Sequence, residues 1–218
     1  MQNELVFKLK KLFSPDNKLS SWILKLTLIR NDLFYVHRSL IDYLDCTKKA
    51  KSGEFIYYFR LAASHYREAA KYISRGKNKP EIQAFIQELS DNTINNYKLI
   101  IESCTPWKSS FVNQIVKPIR DNFFHYDIES FEEDYNQLED FFTRIISTGN
   151  TRKETELIFA DELSINLIFG NKSRQDIEKI LSELSTYMSA LISFVDETVG
   201  RFINNNKNKS AYIIRVKN

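Results

Sequence analysis

From Leu19 to Lys49 the apolar residues Trp22, Leu26, Ile29, Leu33, Val36, Leu40 and Tyr43 recur at steps of three and four, with no glycine or proline among them. That period places them on one face of an α-helix, and a rod of this length needs long neighbours to cover it. The adjoining face, Ile23, Phe34, Ile41 and Leu44, is also apolar. A helix apolar on two faces is central, so packing on more than one side is expected.

The rest of the chain follows the same period, broken by only five glycines and four prolines in 218 residues. The fold class expected is mainly α. A second helix runs from Phe55 to Arg75 with Gly76 as its C-cap, and Pro80 opens a third that reaches Ser103. A fourth begins in Cys104 to Ser110, and a fifth spans Ser130 to Ile146 behind the acids Glu132, Glu133 and Asp134. The segment from Thr151, "TELIFADELSINLIFG", is rich in β-branched and aromatic residues with a polar break at Asp161 and Glu162, and is expected as a small β-hairpin. A last helix, Ser173 to Asn204, opens on Ser173 and Asp176 at capping-box spacing.

The ends are simpler. Leu5, Leu9 and Leu12 alternate with lysines as in a short amphipathic helix, without the unbroken apolar run of a signal peptide. "NNNKNKS" reads as a flexible tether to the tail "AYIIRVK". The expected division is an N-terminal amphipathic segment over 1–18, a helical bundle over 19–146, the hairpin and long helix over 147–206 packed on it, and a flexible tail over 207–218.

Charge and cysteine content narrow the function classes. With 31 basic and 28 acidic side chains the net charge is +3, so no field of the whole protein draws nucleic acid or an anionic membrane, and any phosphate site must be local. Cys46 and Cys104 form no C-x-x-C pattern, which suits a reducing compartment and points to the cytoplasm. The longest apolar runs are too short to span a bilayer, and no metal-ligand cluster or cofactor motif is evident.

One segment bears on chemistry. "KPIRDNFFHYD", Lys117 to Asp127, places Arg120, Asp121, Asn122 and His125 together in a chain with three histidines. On a regular helix Phe111, Ile115, Ile119 and Phe123 form the core stripe, while Asp121 and His125, one turn apart, face away from it. Asp121 is then placed to hydrogen-bond the imidazole and fix its tautomer. Arg120 sits about 140° around the helix from His125 and joins the pair through a bend at Pro118 or from a second copy of the chain. A neutral imidazole can take the proton of an RNA 2′-hydroxyl and a guanidinium can stabilise charge on the phosphate. A two-fold dimer would supply two histidines, one as base and one as acid.

Two other arginine–histidine spacings occur, Arg30 with His37 and Arg60 with His65. Leu61 after Arg60 cannot position a phosphate, and Arg30 and His37 lie about 10 Å apart along a helix buried on two sides. "IRDNFFHY" resembles the R-polar-x3–5-H motif of the HEPN superfamily, with the aromatic-His-Tyr ending of its bacterial members. "YYFRLAASHYREAAKYI" resembles the partner helix in such proteins.

The resemblance implies an up-and-down helical bundle over about 19–146, homodimerisation and metal-independent endoribonuclease activity. It also implies a toxin-antitoxin or phage-defence role, often beside a nucleotidyltransferase-type antitoxin. Arg120 and His125 match the defining pair, and Asp121 matches the polar position where asparagine is more usual. Asn122, Tyr126, His65 and Glu68 are supporting polar candidates. The alternatives are a catalytically silent module of the same type that binds a nucleotide or a protein, a helical interaction protein, and an ordinary solvated helix face with local ion pairs.

Overall fold

A computed structural model of the chain describes residues 3–7, 12–14, 16–45, 52–105, 108–124, 158–170, 172–206 and 212–216. It is mainly helical. Strand β1 (Asn3–Phe7) is followed by α1 (Lys18–Asp45), α2 (Ser52–Gly76), α3 (Pro80–Ile86) and α4 (Asp91–Glu102). A π-helical turn (Val112–Val116) then leads into α5 (Lys117–Phe124). Next come α6 (Ile158–Phe169), α7 (Arg174–Asn206) and strand β2 (Tyr212–Val216). The expected fifth helix, Ser130 to Ile146, lies outside the described residues.

Three long helices build the core. α1 packs on α2 and on α7, α7 also packs on α4, and α2 carries α5 and α6 on another side. Ile23, Leu26 and Leu33 of α1, Phe59, Tyr66 and Ile73 of α2, and Met188, Leu191, Phe194 and Val195 of α7 are completely buried in one cluster. Each such side chain stabilises the fold by about 1.5–3 kcal/mol before chain entropy is counted. Trp22 and Tyr97 both lean on the Phe194 ring, at centroid distances of 6.3 and 5.5 Å. Two-sided packing of α1 thus follows from its two apolar faces, although Ile41 at its end stays exposed.

The caps explain where helices begin. Ser173 N-caps α7, its hydroxyl accepting from the Asp176 N–H, while Asp176 accepts from the Ser173 N–H and hydroxyl at 3.1 and 2.6 Å. Ser90 does the same for α4, accepting from Thr93 N–H at 3.4 Å, and this splits the single helix expected from Pro80 to Ser103. Gly76 is the last residue of α2. Its missing Cβ matters for close approach, since a Cβ there would stand 3.2 Å from Trp22 Nε1.

Three expectations need correction. The β-hairpin is not formed over 158–169, which is α6, with Phe169 packed on Phe59 of α2 at 5.4 Å. Its apolar residues are interrupted by Asp161, Glu162, Ser164 and Asn166 without a helical period, so the pattern does not separate a buried helix from a strand, and contact with α2 decides. The hairpin's first half, 151–157, lies outside the described residues. At the N-terminal segment, residues 3–7 form a strand rather than a helix. Its partner lies in the tail expected to be flexible, for β1 and β2 pair antiparallel from Asn3 opposite Val216 to Phe7 opposite Tyr212.

Candidate functional site

Pro118 governs the approach to the motif. It has no N–H to bond the carbonyl of residue 114, so a regular α ladder cannot run through it. The chain answers with the π turn before it, where the Lys117 N–H reaches back five residues to the Val112 carbonyl. A π turn holds one more residue than an α turn and rotates everything after it. Val112 and Val116 are fully buried, Phe111 and Ile115 only partly, and Ile119 resumes the core contact beyond. The stripe Phe111, Ile115, Ile119 expected from a regular helix is therefore displaced by one position at its start.

Beyond the turn, Asp121 follows the buried Ile119 by two residues on one regular helix. Asp121 does not point away from the bundle: its Oδ1 lies 4.0 Å from Nη1 of Arg67 on α2 and accepts from Nη1 of Arg120 at 3.0 Å. Arg120 and Asp121 are neighbours in sequence, and His125, which Arg120 is expected to join, lies outside the described residues. Arg67 is 7% exposed, and the same Nη1 donates to Glu68 Oε1 at 3.1 Å. Two guanidiniums from two helices therefore share one carboxylate, with Arg120 and Asp121 both half-buried. Arg67 Nε, Ser64 Oγ and Asn113 Oδ1 are buried with no hydrogen-bond partner among the described residues.

The remaining sequence candidates divide. Glu68 joins the cluster through Arg67 and lies 4.0 Å from Lys71 Nζ. His65 does not face the motif; it turns toward α1, with Nδ1 4.0 Å from Asp32 Oδ2. His125, Tyr126 and the side chain of Asn122 lie outside the described residues. Arg67 was visible in the sequence only as a flank of His65 and Glu68. The signal that singles it out is the polar series Arg60, Ser64, Arg67 at helical spacing beside the buried Ala63, Tyr66 and Ala70.

The competing arginine–histidine pair has other work. Arg30 donates to Asp196 of α7 at 2.8 Å and stacks over Phe34 at 4.6 Å. His37 sits 3.2 Å from the Ser185 hydroxyl, and burial lowers its pKa. Both residues fasten α1 to α7.

No family model, curated protein or solved structure matches the chain. The HEPN resemblance therefore rests on the motif residues. Among the described residues no group of three or more histidines, cysteines or acids is arranged to hold a metal ion, and no helix is long and apolar enough to cross a membrane.

Proposed function

We propose that the protein is a HEPN-type, metal-independent endoribonuclease acting in a cytoplasmic toxin-antitoxin or phage-defence role. The observation that carries the reading is the convergence of Arg120 and Arg67 on Asp121 at the α2–α5 contact. A guanidinium positioned by a carboxylate is a suitable group to stabilise charge on a scissile phosphate.

In this reading His125 removes the proton of a ribose 2′-hydroxyl, and the freed oxygen attacks the neighbouring phosphorus. The bond from phosphorus to the 5′-oxygen breaks, and that oxygen takes a proton from the His125 of a second copy in a homodimer. The products carry a 2′,3′-cyclic phosphate and a 5′-hydroxyl. A nucleotidyltransferase-type antitoxin is the partner that the motif resemblance suggests.

The test is RNA cleavage by the purified chain in excess chelator, with the product ends identified. Cyclic phosphate ends, and losses of about a hundredfold or more in His125→Ala and in Arg120→Ala, are expected. Products without cyclic ends, or a His125→Ala protein that cuts as fast, would contradict it. A second reading, a silent module that binds a nucleotide or protein, is favoured by one feature: Asp121 is tied to Arg120 and Arg67 in a way that holds α5 to α2 whether or not RNA is cut.

A further inference from the structure

A groove of about 430 Å³ lies where α1 begins, α2 ends and α3 begins. Its floor is apolar and aromatic, formed by Trp22, Tyr72 and Ile82, and its rim carries Lys18, Arg75 and Lys79. No acid lines it. Among the described residues none of the three rim cations has an ion pair, and all three line the same groove.

Two features of the wall point to a ligand. Trp22 is 5% exposed, yet its Nε1–H has no hydrogen-bond partner among the described residues, and a buried indole donor ordinarily has one. Gly76, also in the wall, lies against it, for a Cβ there would stand 3.2 Å from Nε1. Burial pushes the Tyr72 phenol up, so it meets an oxyanion as a donor. The Ser74 and Gly76 carbonyls at the end of α2 are occupied by the N–H groups of Lys77 and Lys79, at 3.3 and 3.0 Å. They oppose an anion less than free carbonyls would.

We infer that this groove binds a nucleoside phosphate, its phosphates among Lys18, Arg75 and Lys79 and its base against the Trp22, Tyr72 and Ile82 floor. The volume lies in the range of small-molecule pockets, and an apolar floor with a few convergent donors is the usual build of one. Cations alone would suit any anion. The aromatic floor adds a requirement that inorganic phosphate cannot meet. The site shares no residue with the Arg67–Arg120–Asp121 cluster, so it stands whether or not RNA is cut.

ADP is the probe. The chain has two tryptophans, so Trp107→Phe leaves Trp22 as sole reporter, and calorimetry on the unaltered chain gives a reading independent of that variant. Saturable ADP binding with a change in Trp22 emission is expected, with adenosine and inorganic phosphate each bound at least about tenfold more weakly. Arg75→Glu and Lys79→Glu, checked for an unchanged thermal transition, should each weaken ADP binding about tenfold. No saturable binding up to millimolar ADP, binding indifferent to both charge reversals, or adenosine or phosphate bound as tightly as ADP would each overturn the assignment.

Discussion

Glu197 accepts from the Ser90 N–H at 2.8 Å, from the Ser90 hydroxyl at 2.6 Å and from the Thr93 hydroxyl, and so ties α7 to the start of α4. Hydrogen bonds from Ser90 and Thr93 hold its carboxyl below the usual glutamate value of 4.5. In the acid range the unfolded chain therefore binds the proton more readily than the folded one, and stability rises with pH there. The contribution is present above the ordinary value and is lost as pH falls through the lower folded one. Glu197→Gln should flatten the dependence of melting temperature on pH below about 5. Arg67 makes a second residue-scale case. Arg67→Ala removes a buried stem and the bridge between Glu68 and Asp121, and because both acids are partly exposed the expected loss is about 1–2 kcal/mol by urea unfolding. The adjacency of Arg120 and Asp121 could be read from the chain. Their meeting with Arg67 could not, since it depends on how α2 and α5 pack, and Glu197 had no local signal at all because its partners lie across the fold.

Among the elements, the long helices were legible because an apolar face repeating at three and four must be buried against something. α1, α2 and α7 stand close to where that period places them. α6 was misread for the opposite reason, being apolar without a period. The turn before α5 escapes the period, since a missing donor at Pro118 reads equally well as a kink, a restart or a π turn until the Lys117 bond to Val112 is seen. This gives an element-scale prediction. Pro118→Ala restores the donor and lets an α ladder run through, turning Asp121 away from α2. The coupling energy between Arg67 and Asp121, measured by a double-mutant cycle, should fall relative to the parent chain. Ser90→Ala removes the cap of α4 along with a Glu197 contact, and should lower the unfolding free energy by about 1–2 kcal/mol in denaturant titration.

At the scale of the whole molecule, α7 is a central helix. Leu184, Met188, Leu191, Phe194 and Val195 lie in the same cluster as Ile23 and Leu26 of α1. A chain ending at residue 172 should accordingly show no cooperative transition by scanning calorimetry. Removal of 207–218 should do far less: a two-stranded ribbon is marginal by itself, so helical circular dichroism and melting temperature should stay close to the parent values. From the sequence alone a helix is expected at one side of this ribbon and a flexible tail at the other. Each five-residue strand is too short to show its period, and each is a strand only because the other is there.

That pairing also sets an order in time. During synthesis β1 is made nearly the whole described length of the chain before β2, which at ordinary elongation rates leaves it waiting roughly ten to forty seconds. For that interval its N–H and C=O groups have no strand to meet, while α1 and α2 are already available to each other. Among the described elements the ribbon is therefore the last joint to close on a nascent chain, and a factor that captures β1 during synthesis competes with β2.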